Sequence, residues 1–235
     1  MGVIGADTIL LNCLASVGDP ARQARFCPLV HRDSLGSLWL GADGYTSDLT
    51  VNEGELATAG VDVNASYRVL LSGAGSLTFG FTGTHLQSLK TTPVTGFGSY
   101  DCVGFFGQVC GVVAPKWRHV LNVGWLTPWK GFELNLRWRY IGPVQSQQSS
   151  TNSFLAGTPY LPLAHIPAYS YFDLAGSINL GKNVSLRLGV NNIADKVPPL
   201  IVGNDCSGNF CNGNSAPGYY DVLGRYLFAH VTVQF

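Results

Sequence analysis

Apolar and polar residues alternate with a period of two in seven separate segments, and this pattern constrains the fold more than any other feature. In FELNLRWRY, residues 132–140, an apolar and aromatic face lies opposite a face that carries Glu133, Arg137 and Arg139. Such alternation is typical of a β-strand, because successive side chains point to opposite sides of a sheet. The seven segments are VDVNASYRV, SLTFGFTGT, RHVLNVGW, FELNLRWRY, YFDLAGSINL, VSLRLGVN and YLFAHVTVQF.

Charged residues are scarce and balanced. They make up 12% of the 235 residues, and the formal net charge is zero. A neutral chain has no electrostatic footprint for nucleic acid, so we expect no nucleic-acid partner. No apolar run is long enough for a transmembrane helix, and the N-terminal segment lacks the basic region of a signal peptide. The remaining classes are a secreted all-β domain and a membrane β-barrel.

Short and long connections alternate between the predicted strands. The short turns are 71–75, 127–131 and 181–183, and the long loops are 86–116, 141–168 and 192–224. This order is typical of an outer-membrane barrel with short periplasmic turns and long extracellular loops. A soluble sandwich or lipocalin-like barrel is the alternative, but three long loops at one end are unusual there. We therefore predict an all-β fold, an antiparallel transmembrane β-barrel segment of about seven long strands.

Aromatic residues at the predicted strand ends support the membrane alternative. Amphipathic rings favour the membrane–water interface, where they form a girdle around a barrel. The candidate girdle residues are Trp117, Trp125, Trp129, Trp138, Tyr140, Tyr169, Tyr171 and Tyr226.

The six cysteines fall in three close pairs within loop-like segments, which predicts disulfides formed in an oxidising compartment. A zinc site is the competing interpretation. No CxxC motif occurs and no histidine has suitable spacing, so we predict no metal site and no cofactor. Pairing beyond nearest neighbours stays open. The candidate pairs are Cys13 with Cys27, Cys102 with Cys110, and Cys206 with Cys211.

The C-terminal third carries a more specific pattern. The segment NNIAD, residues 191–195, closes the penultimate strand, a Tyr-Asp pair and a Gly-Arg pair fall within residues 220–225, and the last strand ends on Phe235. This order and spacing resembles the end of TonB-dependent outer-membrane receptors. The resemblance extends to ADTILLNCLA, FCPLVHRDSLGSLW and VNEGELATAGVDVNASY, so it covers nearly the whole chain.

The resemblance implies a place in the bacterial outer membrane and import of siderophores or other scarce nutrients by TonB-coupled active transport. The implied partners are outer-membrane lipid, the barrel-assembly machinery and TonB, which acts through a plug domain. The last strand would be the signal that the assembly machinery reads. The implied signal residues are Tyr226, Phe228, Val233 and Phe235.

Family members are several times longer than this chain and close a barrel of about 22 strands. The resemblance therefore implies an incomplete barrel, the C-terminal part, without plug and N-terminal strands. Residues 1–44 are predicted to be an extracellular loop with a short helix, and residues 45–235 strands and loops. The alternative is a small outer-membrane barrel with a structural or adhesive role, which an eighth strand within residues 36–50 would favour. No GxSxG motif or triad occurs, so we expect no enzymatic activity.

Charged residues on the polar strand faces are candidates for the wall of a water-filled lumen. They could contact the plug or a ligand, or form an interstrand ion-pair ladder, and the two roles can coexist. Ligand-binding residues are otherwise unknown. Phe105 and Phe106 at a loop tip could grip a substrate or pack on neighbouring loops. The lumen candidates are Asp62, Arg68, Glu133, Arg137, Arg139, Asp173 and Arg187.

Overall fold

The computed structural model of the chain describes residues 4–49, 54–94, 96, 98–129, 131–181, 183–206 and 211–234. These residues form two compact units. The first takes in the described residues up to Ala57 together with Lys90–Tyr100, and the second takes in Thr58–Leu89 and the residues from Asp101 onward. In the described part, no helix combines the length and the apolar character needed to cross a membrane.

Two short helices and a disulfide organise the first unit. Helix α1 spans Ala6–Leu14, which confirms the predicted helix in ADTILLNCLA, and helix α2 spans Pro20–Phe26. The disulfide between Cys13 and Cys27 joins α1 to the 3-10 turn that follows α2. The small core contains Ile9, Phe26 and Val94. A 3-10 turn at Cys27–Leu29 leads into two short paired strands, β1 (Val30–His31) and β2 (Tyr45–Thr46).

Helix α2 is not predicted by the alternation pattern, although the sequence contains its start signal. The carboxylate of Asp19 accepts a hydrogen bond from the backbone N–H of Arg22 at 3.1 Å. Pro20 occupies the first helical position, where a backbone N–H would have no acceptor within the helix, so the missing N–H of proline costs no hydrogen bond. The Asp-Pro pair is therefore the local signal that begins this helix.

A large antiparallel sheet dominates the second unit. The strands that follow β2 in the chain are β3 (Glu55–Leu71), β4 (Gly75–Thr92), β5 (Tyr100–Asp101), β6 (Phe105–Phe106), β7 (Trp117–Leu126), β8 (Phe132–Ile141), β9 (Val144–Ser146), β10 (His165–Ile166), β11 (Tyr169–Asn179), β12 (Val184–Asn191) and β13 (Tyr226–Val233). The seven long strands of the sheet are ordered β3-β4-β7-β8-β11-β12-β13, which confirms the predicted number and alternation. Within the described residues the sheet does not close on itself, since β3 and β13 lie at its two edges.

The connections alternate as predicted, but the first hairpin is longer than the sequence indicates. Strands β3 and β4 contain 17 and 18 residues, so the first long loop begins after Thr92 rather than near residue 86. Strand β4 pairs with β7 only as far as His85. Strand β4 also pairs with β3 and with β5, which gives its backbone partners other than β7. Three further 3-10 turns lie in the later loops, at Gln147–Ser149, Leu161–Leu163 and Gly203–Asp205.

Strand register gives the sheet two chemically different faces. Arg137 lies opposite Asp173 and Asn122, while Leu136 lies opposite Leu174 and Val123. Because directly opposed residues share a face, polar side chains collect on one side and apolar side chains on the other. The period-two pattern of the sequence is thus carried across the strands of the sheet.

The apolar face carries aromatic clusters at both ends of the strands. At the end with the short turns, Trp125 packs against Trp129 and donates its indole N–H to the carbonyl of Ala74 at 2.9 Å. At the end with the long loops, the cluster contains Phe81, Trp117, His119, Trp138, Tyr140 and Phe172. This arrangement matches a two-belt girdle for the tryptophans and Tyr140.

Three tyrosines assigned to the girdle by sequence lie elsewhere. Tyr171 lies opposite Arg139 on the polar face, and both Tyr169 and Tyr171 are buried in a core formed with the long loops. Tyr226 lies opposite Asn191, on the polar face that also carries Arg187. The sequence assignment was wrong for these three residues, because position at a strand end shows neither the face that a side chain takes nor the loops that fold back over it.

The turn between β3 and β4 offers a matched pair of glycines. Gly73 and Gly75 both have positive φ, but a Cβ at Gly75 would lie 2.0 Å from the carbonyl oxygen of Leu126, whereas nothing lies within 4 Å of one at Gly73. We expect Gly75→Ala to lower the free energy of unfolding by about 1–3 kcal/mol more than Gly73→Ala, because only the former adds a clash to the backbone strain. Urea titration of the two variants measures the difference, and equal losses would contradict the close approach.

Candidate functional site

The predicted lumen residues collect on the polar face of the sheet. Register places Glu133, Arg137, Arg139, Asp173 and Arg187 on that face. Arg68 on β3 joins them through a hydrogen bond from its guanidinium to the hydroxyl of Ser76, at 3.2 Å. The remaining candidate, Asp62, is an exposed residue of the edge strand β3.

A hollow of about 420 Å³ opens on the polar face near the short turns. Its charged lining residues are Arg68, Glu133 and Arg187, and Ser76 and Asn135 supply polar groups between them. The structure therefore brings three of the seven predicted residues together at one place. Two cations and one anion give this wall a modest excess of positive charge.

An ion-pair network surrounds Arg139 at the other end of the polar face. Its Nε donates to Asp173 Oδ2 at 2.9 Å and its Nη1 donates to Asp221 Oδ1 at 2.8 Å, with second bonds from Nη2 to each carboxylate. The guanidinium also lies 5.0 Å from the ring centre of Tyr171. Bidentate pairing of this kind fixes both partners in position, and here it links β8, β11 and the segment before β13.

The sequence identified Arg139 and Asp173 but not the role of Asp221. Asp221 lies 82 residues from Arg139 in the chain, and no periodic pattern connects a loop residue to a strand. The available signal in the sequence was that Asp221 belongs to the Tyr-Asp pair of the family resemblance. That pair marks the residue but does not explain its structural role.

The NNIAD and Gly-Arg segments form the neck of a loop, residues 192–225, which we name the closing loop. The Asn192 side chain donates to the carbonyl of Lys196 and accepts from its backbone N–H, both at 2.9 Å, and the backbone N–H of Asn192 donates to Asp173 Oδ1. Asp195 accepts a hydrogen bond from the backbone N–H of Arg225 at 2.8 Å. The motif residues therefore hold together the two ends of one long loop.

A hydrophobic core joins the closing loop to the other long loops of the second unit. Its buried residues are Phe106, Val113, Val144, Ile166, Tyr169, Tyr171, Ile201, Ala216 and Tyr220. Strands β6, β9 and β10 form a small sheet within these loops. Burial raises the pKa of the Tyr220 phenol, with neighbouring tyrosines adding to the effect. The long loops thus share one packed core, which we name the loop cap.

The two candidate ligand residues occupy different environments in the loop cap. Phe106 is 1% exposed and packs in the core, while Phe105 is partly exposed. Of the two rings, only that of Phe105 presents surface at the tip. Neighbouring residues of a strand point to opposite sides, and the sequence does not show which of the two sides faces the core.

All six cysteines are paired as nearest neighbours. The disulfides are Cys13–Cys27, Cys102–Cys110 and Cys206–Cys211, and the last two staple loops that enter the loop cap. Among the described residues, no group of three or more His, Cys, Asp or Glu side chains is placed to hold a metal ion.

Three of the four predicted assembly-signal residues lie on β13, at an edge of the sheet. Tyr226 and Phe228 lie opposite Asn191 and Gly189, and Val233 lies opposite Val184. The Phe228 ring lies across Gly189, where an added Cβ would come within 2.3 Å of it. Phe235 lies outside the described residues, and the signalling role of all four residues remains a prediction.

Comparison with known proteins identifies the family. The family model described as TonB dependent receptor-like, beta-barrel matches residues 29–193. Two solved mutant forms of the ferric enterobactin receptor PfeA from Pseudomonas aeruginosa match with 18% identity and a TM-score of 0.48, over 77% of this chain. The chain spans 22% of the length of that receptor. A search of curated proteins found no match. On the family match, which covers most of the sequence, this chain belongs to the TonB-dependent receptor family.

Proposed function

We propose that the chain supplies part of the wall and the outer loops of an outer-membrane receptor that imports a siderophore or another scarce nutrient. Membership in the receptor family supports this function. In the proposal the short turns face the periplasm, the loop cap faces outward, and the polar face lines the lumen. TonB would act through a plug domain and make no contact with the residues described here.

The observation that carries the proposal is the contrast between the two faces of the sheet. The apolar face exposes Leu136, Leu174 and Leu188, the last with 52% of its surface uncovered. Large contiguous apolar patches are unusual on soluble proteins, and a sheet with charged residues on the reverse side suits lipid outside and water inside. The aromatic clusters at both strand ends lie where the membrane–water interfaces would be.

The two sheet edges define the partner that the proposed barrel needs. Seven strands of alternating direction leave β3 and β13 pointing the same way. Unpaired backbone groups in lipid cost several kcal/mol each, so both edges require neighbours. An odd number of further strands, antiparallel to both edges, would close the barrel. A second copy of the described sheet would also supply seven strands, but in the same membrane orientation its edge strands would run parallel to β3 and β13. They would pair antiparallel only if the second copy were inverted in the membrane.

An eighth long strand within residues 36–50 would favour the adhesive alternative. The described part of that range contains only the two-residue strand Tyr45–Thr46, which pairs with β1. No observation among the described residues therefore favours a small closed barrel, and transport remains the preferred function.

Membrane separation followed by uptake measurements tests the proposed function. An antibody against residues 211–224 should detect the protein in the outer-membrane fraction. Deletion of its gene should reduce uptake of the nutrient, and loss of TonB should reduce uptake by a similar factor. Detection only in soluble or inner-membrane fractions, or uptake that persists without TonB, would overturn the proposal.

A further inference from the structure

The closing loop contains a tight turn built on a backbone bridge between Asn212 and Ser215. The N–H of Asn212 donates to the carbonyl of Ser215 at 2.8 Å, and the N–H of Ser215 donates back at 3.3 Å. Between them, Gly213 and Asn214 have positive φ values of 59° and 60°. Positive φ at both central residues is the signature of a type I′ turn. Asn212, Gly213 and Asn214 are all exposed to solvent.

The Asn212-Gly213 pair in this turn has both of its reactive groups unengaged. An asparagine side chain can be attacked by the backbone nitrogen of the next residue, and glycine offers that nitrogen without a side chain beside it. The Asn212 side chain makes no hydrogen bond to a described residue, and the N–H of Gly213 has no acceptor among them either. A Cβ built at Gly213 would meet nothing within 4 Å, so the space around the nitrogen is open.

The other asparagine of the turn is a matched contrast. Asn214 is also exposed, but the nitrogen that would attack its side chain belongs to Ser215. That nitrogen already donates to the carbonyl of Asn212, and Ser215 is only 3% exposed. Attack on Asn214 would therefore break a hydrogen bond and move a buried residue, whereas attack on Asn212 requires neither.

We propose that Asn212 is a modification site, at which the side-chain amide is converted to a carboxylate through a cyclic imide with Gly213. The Gly213 nitrogen loses its proton to base and forms a bond to the side-chain carbonyl carbon of Asn212. The bond from that carbon to the amide nitrogen breaks, and the nitrogen leaves as ammonia. Water then opens the imide at either carbonyl and gives aspartate or isoaspartate.

The modification would change the closing loop at the point where it enters the loop cap. Both products add a negative charge, and isoaspartate also adds a methylene carbon to the main chain. The added carbon lies inside the bridge between Asn212 and Ser215, and the next residue, Ala216, is fully buried. The isoaspartate form is therefore expected to lose the bridge. The inference requires only the described turn and does not depend on TonB-coupled transport.

The test follows the amide groups of the full chain during incubation in detergent at mildly alkaline pH. Trypsin releases residues 197–225 as one peptide, so fragment masses measure both asparagines of the turn in the same molecule. We expect the Asn212 amide to be lost at least about tenfold faster than the Asn214 amide. An isoaspartyl methyltransferase should label the incubated chain, and Asn212→Gln, which keeps the amide on a longer side chain, should abolish that label.

The same incubation in urea separates the folded turn from the bare sequence. Because both reactive groups are unengaged and exposed in the turn, we expect the folded and unfolded chains to lose the Asn212 amide at rates within about threefold of each other. A folded rate more than about tenfold lower would overturn the proposal, since the turn would then protect the asparagine. Equal rates at Asn212 and Asn214 in the folded chain, or a methyltransferase label that persists in Asn212→Gln, would also overturn it.

Discussion

Replacement of Arg139 by alanine is expected to lower the free energy of unfolding by about 3–5 kcal/mol, the largest effect of any single substitution considered for this chain. The loss comes mainly from the partners. Asp173 and Asp221 have side chains only 10% and 19% exposed, and both would lose the cation that pairs with them. Removing one member of a buried ion pair is costly because the remaining charge is poorly solvated.

Arg137→Ala is the matched control for that variant. Arg137 lies on the same strand and the same face, two residues away, and makes no ion pair with the described residues. We expect its loss to cost less than about 1 kcal/mol. Urea titration followed by tryptophan fluorescence measures both variants. Equal losses would show that the network around Arg139 contributes no more than an exposed charge.

Arginine at Leu136 is expected to destabilise the protein in a lipid bilayer by about 2–4 kcal/mol if the residue lies near the bilayer midplane. Leu136 is 39% exposed on the apolar face, between Val123 and Leu174 on the neighbouring strands. A charged side chain there would have to enter lipid, because the sheet covers only one side of it. The measurement is a urea titration of protein folded into vesicles.

Asn135→Arg is the paired control on the opposite face. Asn135 lines the polar hollow with Glu133, so an added guanidinium would find water and a carboxylate. We expect a change of less than about 1 kcal/mol. The prediction fails if arginine is tolerated equally at positions 135 and 136, since the two faces would then not differ in their surroundings.

Strand positions and face assignments could be predicted from the sequence because they depend on local alternation. Residues 132–140 illustrate this: the strand Phe132–Ile141 and the shared face of Glu133, Arg137 and Arg139 follow from the period of two alone. The turns and long loops between strands followed from the same segmentation. Because short turns join sequential strands at one end, these strands are expected to pair antiparallel with their neighbours in the chain.

Contacts within the loop cap could not be predicted, because they join residues distant in sequence. The burial of Phe106 and Tyr171 depends on Ile201 and Tyr220, which belong to a later loop and fold back over them. Asp221 reaches Arg139 for the same reason. A resemblance marked the motif residues as important, but only the structure shows that they close a loop neck and pair with a strand arginine.

Solvent access to the two faces in a membrane tests most directly whether this sheet is a barrel wall. Single cysteines at Leu136, Leu174 and Leu188 would sample the apolar face, and single cysteines at Asn135, Ala175 and Ser177 the polar face. In native outer membranes, a lipid-soluble maleimide should label the first set and a water-soluble maleimide the second. Labelling of both sets by the water-soluble reagent at similar rates would contradict a wall with lipid on one side and water on the other.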